Sequence, residues 1–159
     1  MTKAVFPGSF DPFTLGHLDI VRRATGIFDE VVIAVATNSG KTPLLSLTQR
    51  LEIISDAVAE IPGVSVGEVP GLLVDFCAQQ QASAIVKGLR GGSDLDGETP
   101  MALMNRHLSG IDTVFLVASP TLAHVASSMV RDVARFGGDV STLLTPLGAQ
   151  ALQVAFAKG

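Results

Sequence analysis

One stretch near the start of the chain carries side chains and backbone that could bind a phosphate. Residues 6–17 read Phe-Pro-Gly-Ser-Phe-Asp-Pro-Phe-Thr-Leu-Gly-His, between a short apolar run and a segment with apolar residues at helical spacing. This pattern predicts a strand, a turn and a helix. Thr14 is expected near the N-cap of that helix, with Gly16 and His17 in its first turn.

The first turn of such a helix is suited to an anion. Its backbone N–H groups have no partner within the helix and lie at the positive end of the helix dipole. Gly16 has no Cβ, so an anion can approach the backbone closely. His17 could donate a hydrogen bond to a phosphate oxygen, and Ser9 could add its hydroxyl. An isolated Gly-His pair would indicate only a surface turn, but the whole stretch predicts phosphate binding.

Further cations and hydroxyls follow other predicted strands. Lys41 lies in a loop predicted over 37–45, Lys87 and Arg90 flank a glycine at the end of the fourth strand, and Ser127 opens a helix after the fifth. Loops that follow the strands of a parallel sheet meet at one edge, at the point where the strand order reverses. A loop lysine is otherwise usually solvated, so the role of Lys41 depends on this placement.

The elements that position these residues alternate along the chain. Apolar runs predict five strands, at 4–6, 30–36, 64–69, 84–87 and 113–117. Helices are predicted from Thr14, from a Ser46–Gln49 capping box to about Ala59, from Leu72 to about Gln80, between Asp94 and Leu108, from Ser127 to about Phe136, and from near Pro146 to Phe156. This alternation predicts an α/β protein: a Rossmann-like doubly wound fold with a five-stranded parallel sheet and helices on both faces.

Length and composition limit the class of protein. A chain of 159 residues suits one domain, 1–159, with a C-terminal helix from about 146. The net charge of −4 argues against general affinity for nucleic acid. Cys77 is the only cysteine, so neither a disulfide framework nor a cysteine-rich metal site is expected. The chain has no apolar signal region and no run long enough to span a membrane, so a cytoplasmic location is expected.

The motifs together resemble the Thr/His-x-Gly-His nucleotidyltransferases, and most closely the bacterial phosphopantetheine adenylyltransferases. Pro-Gly-Ser-Phe-Asp-Pro-Phe runs into Thr-x-Gly-His, Lys-Gly-Leu-Arg stands at 87–90, and Met-Asn-Arg-His-Leu stands at 104–108. The likeness extends from about Ala4 to Asp139. It implies that a phosphate oxygen of 4′-phosphopantetheine attacks the α-phosphorus of ATP in line, giving dephospho-coenzyme A and pyrophosphate without a covalent intermediate.

The resemblance also implies roles for matching residues. His17, Lys41 and Arg90 are implied to be catalytic, with His17 stabilising the transition state. The implied phosphopantetheine contacts are Ser9, Lys41, Leu73, Lys87, Met104 and Asn105. The implied ATP contacts are Ser9, Phe10, His17, Gly88, Leu89, Arg90, Glu98, Leu122, Ala123, His124, Val125, Ala126, Ser127 and Ser128. Magnesium is expected on the phosphates of ATP with no protein ligand, dephospho-coenzyme A or coenzyme A is an expected ligand, and a homohexamer is the expected assembly.

One segment departs from the family pattern and changes the expected structure. The family typically has Asp-Phe-Glu-Tyr-Glu in a continuing helix, where this chain has Asp94-Leu-Asp-Gly-Glu-Thr-Pro100. Gly97 and Pro100 weaken a helix, whereas Thr99 as N-cap followed by proline would begin one well. A break or kink near Pro100 is therefore expected, with residues 91–98 looser than in relatives.

A second departure concerns the run before Ser127, and two other functions remain open. Leu122 and His124 stand where the family has aromatic residues, and Ala126 stands where it has a serine. These departures are expected to affect the affinity for nucleotide more than the assignment to the family. One alternative is a related nucleotidyltransferase with nicotinamide mononucleotide or glycerol phosphate as acceptor. The other is a non-catalytic nucleotide-binding module, which the presence of His17, Lys41 and Arg90 opposes.

Overall fold

A single parallel sheet organises the molecule. The computed structural model describes residues 1–37 and 40–157, so positions 38 and 39 of the predicted 37–45 loop, and the last two positions of the predicted domain, lie outside the described residues. The strands are β1 (Lys3–Gly8), β2 (Glu30–Ala36), β3 (Val64–Val69), β4 (Ala84–Leu89) and β5 (Asp112–Val117). They pair in the order β3-β2-β1-β4-β5, and every pair is parallel.

Helices cover both faces of this sheet, because its strands are apolar on both sides. The helices are α1 (Leu15–Ala24), α2 (Leu47–Val58), α3 (Leu73–Gln79), α4 (Gly92–Ser109), α5 (Ser127–Arg135) and α6 (Pro146–Ala157). One core cluster joins β1, β2 and β4 to α1, α2, α5 and α6, and a second joins the opposite face to α3. The predicted doubly wound α/β fold is confirmed. In the described ranges, no helix is both long and apolar enough to cross a membrane.

The strand order reverses between β1 and β4. The chain first adds β2 and β3 on one side of β1 and then returns to place β4 and β5 on the other side. Right-handed crossovers of this kind leave a crevice outside the carboxyl ends of the two central strands. The loop after β1 and the segment after β4 therefore face each other, as the sequence predicted.

Of the break or kink predicted near Pro100, the break is wrong, because α4 runs without interruption from Gly92 to Ser109 with Pro100 inside it. The Thr99 hydroxyl does not cap a new helix; it donates a 2.6 Å hydrogen bond to the carbonyl of Leu95, one turn earlier. Asp96, whose carbonyl would accept from a residue with an N–H at position 100, is exposed and open to water. Packing of α4 against β4, β5 and α3 outweighs the local preference.

Candidate active site

A cavity of about 490 Å³ opens at the carboxyl ends of β1 and β4. It brings together most of the residues predicted from sequence to bind phosphate or nucleotide. The predicted residues in its wall are Ser9, Phe10, His17, Lys87, Gly88, Leu89, Arg90, Glu98, Leu122, Val125, Ala126, Ser127 and Ser128. Gly88 also leaves room for close packing of β4 on α1, since a Cβ there would lie 3.1 Å from Cγ1 of Ile20.

The N-terminus of α1 holds His17 through reciprocal hydrogen bonds with Thr14. The backbone N–H of Thr14 donates to Nδ1 of His17 at 3.0 Å, and the backbone N–H of His17 donates to Oγ1 of Thr14 at 3.2 Å. These contacts form the capping box of α1 and confirm the predicted N-cap. Because Nδ1 accepts a backbone hydrogen bond, the ring proton of a neutral His17 lies on Nε2.

Three phenylalanine rings enclose His17. Its ring centroid lies 5.0 Å from that of Phe10, 5.4 Å from that of Phe13 and 6.1 Å from that of Phe6. His17 is therefore partly buried and packs against aromatic rings, although it lies in the first turn of a helix. Phe10 reaches this position with a φ of 49°, a left-handed conformation that its buried ring helps to hold.

The surroundings of His17 keep its ring neutral. Burial is the largest cause that lowers its pKa to about 3, and the positive charges of Lys87 and Arg90 lower it further. A neutral imidazole with its proton on Nε2 is a hydrogen-bond donor without a net charge. The two neighbouring cations supply positive charge to the same cavity.

Both of those cations are held by carboxylates of α4. Nζ of Lys87 lies 3.3 Å from Oε1 of Glu98. Arg90 makes a two-pronged contact with Asp94, from Nε to Oδ2 at 2.9 Å and from Nη2 to Oδ1 at 3.0 Å, and its backbone N–H donates to the same carboxylate. The Arg90 side-chain hydrogen bond is the main cause that lowers the pKa of Asp94. A phosphate entering the cavity therefore meets cations oriented by α4.

The N-terminus of α5 forms the opposite wall. Its N-cap residue, Ala126, makes no side-chain capping bond, so the first N–H groups of the helix are not occupied by a side-chain oxygen. The hydroxyl of Ser127 donates to the carbonyl of Pro12 at 2.8 Å, which ties this helix to the loop after β1. Ser128 is exposed and lines the cavity. The two serines, predicted together as phosphate ligands, thus differ in their surroundings.

Six predicted site residues lie outside this cavity. Lys41 lines a neighbouring cavity of about 570 Å³, which shares Ser9, Asp11 and Arg131 with the first. The other five line neither cavity. Leu73 is partly buried on α3, Met104 is exposed and Asn105 buried on α4, Ala123 is partly buried and His124 is exposed.

Sequence reasoning missed three residues that fix the loops around the site. The buried carboxylate of Asp11 accepts hydrogen bonds from the backbone N–H groups of Leu44 and Leu45, both at 2.9 Å. Nη1 of the buried Arg50 donates to the carbonyl of Ser9 at 2.8 Å. Nη1 of Arg131 donates to the carbonyl of Asp11 at 2.7 Å. A useful signal was available for Arg50, since it falls among the apolar positions of α2.

The arrangement is suited to positioning and stabilising phosphate groups. It offers a neutral donor at His17, cations at Lys87 and Arg90, and the uncapped N-terminus of α5. Throughout residues 1–37 and 40–157, no three His, Cys, Asp or Glu side chains group as a metal site. Such a site can align two phosphates and stabilise the charge that develops between them.

Comparisons with known proteins agree with this chemistry. Residues 5–133 match the cytidylyltransferase-like family. The chain is 53% identical to a phosphopantetheine adenylyltransferase of a Nocardioides species over the full length of both, and 51% identical to one of Symbiobacterium thermophilum, covering 99% of this chain and 98% of that protein. A candidate nicotinate-nucleotide adenylyltransferase from Vibrio parahaemolyticus shares the fold, with a TM-score of 0.72 at 17% identity over 100% of this chain and 98% of that one.

Proposed function

The chain belongs to the phosphopantetheine adenylyltransferases of the cytidylyltransferase-like family, and from this premise we propose how its cavity carries out the transfer. It is an enzyme of coenzyme A biosynthesis that joins the adenylyl group of ATP to 4′-phosphopantetheine. A phosphate oxygen of the acceptor forms a bond to the α-phosphorus of ATP as the bond to the β-phosphate oxygen breaks. The products are dephospho-coenzyme A and pyrophosphate.

In this proposal His17 acts on the α-phosphate. Its Nε2–H donates a hydrogen bond to a non-bridging oxygen, and this bond strengthens as negative charge builds on the five-coordinate phosphorus. The hydrogen bond from Thr14 and the packing of the phenylalanine rings hold the imidazole in place before substrate binds. The reaction therefore needs little reorganisation at this donor.

The remaining residues neutralise and align the other phosphates. Lys87 and Lys41 serve the acceptor phosphate, while Arg90 and the N-terminus of α5 with Ser128 serve the β- and γ-phosphates of ATP. Arg90 and Lys87 reach the phosphates by sharing or exchanging their contacts with Asp94 and Glu98. The lining of the cavity by His17, Lys87 and Arg90 together is the observation that supports this proposal most strongly.

We propose that magnesium accompanies ATP. Of the carboxylates that line the cavity, Asp94 and Glu98 are paired with cations and Asp11 accepts backbone hydrogen bonds, so phosphate oxygens and water are the ligands that fit the ion. When bound, the ion would neutralise charge on the triphosphate. Lys87, Arg90 and α5 then orient the phosphates relative to His17.

Acceptor choice is the decisive test of the function. Pyrophosphate release from ATP would be measured with 4′-phosphopantetheine, nicotinamide mononucleotide and glycerol phosphate in turn. We expect turnover with 4′-phosphopantetheine alone. Turnover with another acceptor would overturn the assignment of the substrate, and nucleotide binding without turnover on any acceptor would indicate a non-catalytic module.

We also propose a homohexamer in the cytoplasm, as the family resemblance suggests. Exposed apolar side chains support association of subunits: Leu103, Met104 and Leu108 on α4 are more than half exposed, and Val117 at the end of β5 is 68% exposed. Light scattering on the purified protein gives its mass and thus the number of subunits. A monomer at micromolar concentration would contradict the assembly, and cell fractionation tests the location.

A further inference from the structure

Beyond His17, helix α1 carries an acidic and a basic residue that the mechanism does not use. Asp19 and Arg23 are one turn apart, and Nη1 of Arg23 lies 3.2 Å from Oδ2 of Asp19. Neither side chain lines either cavity. An ion pair four residues apart on a helix surface contributes little by itself. What distinguishes this pair is its additional contacts with the chain beyond β5.

Both residues bind the chain where it leaves β5. Nη1 of Arg23 donates a 2.7 Å hydrogen bond to the carbonyl of Val117, the last residue of that strand. The hydroxyl of Ser119 donates to Oδ2 of Asp19 at 2.8 Å. Ala118, which lies between the two bonded residues, lines the first cavity. The ion pair of α1 therefore holds the chain on both sides of a residue in the cavity wall.

Two backbone turns extend this attachment towards α5. The N–H of Leu122 donates to the carbonyl of Ser119 at 2.9 Å, and the N–H of Val125 donates to the carbonyl of Leu122 at 3.0 Å. Leu122, Val125 and Ala126 all line the first cavity, and Ala126 is the N-cap of α5. The position of Ser119 therefore influences where the rest of segment 118–126 and the N-terminus of α5 lie relative to α1.

His17 is held by contacts that do not involve this attachment. Nδ1 accepts from the N–H of Thr14, and the ring packs against phenylalanine rings at the amino end of α1. Asp19 and Arg23 lie farther along the same helix. The donor at the α-phosphate and the wall formed by 118–126 thus depend on different side chains of one helix. Loss of the Asp19 contacts should loosen the wall without removing the donor.

We propose that Asp19, together with Arg23 and Ser119, is a positioning residue that holds segment 118–126 ready for ATP. This role rests on the proposed function, which assigns the N-terminus of α5 to the phosphates of ATP. A segment that is already held in place loses less conformational freedom on binding than one that must first be ordered. Asp19 contacts neither substrate and acts through Ser119.

The test compares the affinities of full-length variants for ATP and for 4′-phosphopantetheine, titrated separately by calorimetry so that no turnover occurs. Ser119→Ala removes the hydroxyl, Ser119→Thr keeps one, and Asp19→Ala removes the acceptor. Glu30→Ala is the matched control, because it breaks a 2.7 Å ion pair with Lys3 and lines neither cavity. We expect Ser119→Ala and Asp19→Ala to raise the Kd of ATP by about tenfold and to leave that of 4′-phosphopantetheine within about twofold. Ser119→Thr should recover most of the affinity for ATP.

Steady-state kinetics separates positioning from a general loss of structure. In Ser119→Ala the KM for ATP should rise, whereas kcat at saturating ATP should stay within about threefold of the wild type, because His17 is held by other contacts. The double variant Asp19→Ala/Ser119→Ala should bind ATP no more weakly than Asp19→Ala alone, because the two side chains act through one hydrogen bond.

Any of four results would overturn this role. They are an unchanged Kd of ATP in both single variants, equal losses for the two substrates, an equal loss of ATP affinity in Glu30→Ala, and losses that multiply in the double variant. Thermal melting verifies that each variant is folded, and if Asp19→Ala did not fold, Ser119→Ala, which removes one oxygen atom, would decide the matter. Each of these results leaves adenylyl transfer by the wild type intact, whereas failure of the proposed function would appear as a wild type that does not turn over 4′-phosphopantetheine.

Discussion

The backbone N–H of Thr14 and Nδ1 of His17 lie 3.0 Å apart, and the hydrogen bond between them determines which ring nitrogen carries the proton. Since Nδ1 accepts, Nε2 is the donor nitrogen of the neutral ring. The low pKa of His17, about 3, keeps the ring in this neutral form over the ordinary pH range. The site therefore has a donor of fixed geometry that does not depend on a proton from solvent.

Substitution of His17 should reduce kcat more than substrate binding. We expect His17→Ala to lower kcat by about 10²–10³-fold, because one preorganised donor is lost from the transition state. His17→Gln should retain more activity than His17→Asn, since the longer amide can place N–H near the position of Nε2. Loss of ring packing should also lower the free energy of unfolding by about 1–2 kcal/mol. Steady-state kinetics and thermal melting measure both effects, and a near-normal kcat in His17→Ala would remove His17 from the mechanism.

The lowered pKa of His17 predicts a pH-dependent contribution to stability. Below the ordinary histidine pKa of 6.5 the unfolded chain binds a proton at His17, whereas the folded chain does not until the pH approaches 3. Above pH 6.5 the neutral His17 of the folded chain therefore costs no stability, and the free energy of unfolding falls as the pH decreases below this value. As the pH falls from about 6.5 to about 3, the wild type should lose stability relative to His17→Gln, by up to about 1.4 kcal/mol per pH unit. Urea unfolding at several pH values measures this difference, and parallel curves for the two proteins would contradict the prediction.

Elements governed by local rules were predictable from sequence. The boundaries of β2 and β3 agree with their β-branched runs, and the Ser46–Gln49 capping box begins α2 as expected. The gathering of the loops after β1 and β4 at one edge followed from the alternation of strands and helices. Each of these features depends on residues close together in the chain or on a general rule of topology.

Features that depend on distant contacts were not predictable in the same way. Asp11 is separated by 33 and 34 residues in sequence from its two hydrogen-bond donors, and no local sequence pattern predicts these contacts. The enclosure of His17 by Phe6 and Phe13 depends on how β1 and its loop turn back over α1. The ion pair between Arg90 and Asp94 could have been predicted from sequence, because oppositely charged residues four positions apart often pair.

Asp11 should matter for stability although it was not predicted to bind a substrate. Asp11→Ala leaves two backbone N–H groups, those of Leu44 and the buried Leu45, without their acceptor. We expect a loss of about 1–3 kcal/mol in the free energy of unfolding, measured by urea denaturation. Asp139→Ala is the matched control, because that carboxylate is exposed and accepts from Ser141 only. If the two substitutions lowered the free energy of unfolding equally, the hydrogen bonds of Asp11 would contribute no more stability than those of an exposed carboxylate.

Pro100 should destabilise α4, and its replacement tests why the helix nevertheless forms. Pro100→Ala restores an N–H that can donate to the carbonyl of Asp96 in the middle of an 18-residue helix. We expect the free energy of unfolding to rise by about 1–3 kcal/mol, since interior proline costs about 3 kcal/mol relative to alanine.

Thr99→Ala is the companion variant, because it removes only the hydroxyl that donates to Leu95. Since Thr99 and Pro100 line neither cavity, kcat and KM should stay close to wild type in both. Urea denaturation and steady-state kinetics make the comparison. If Pro100→Ala were less stable than the wild type, the proline would be supporting α4 through tertiary packing, and the account of a helix held despite an unfavourable residue would be wrong.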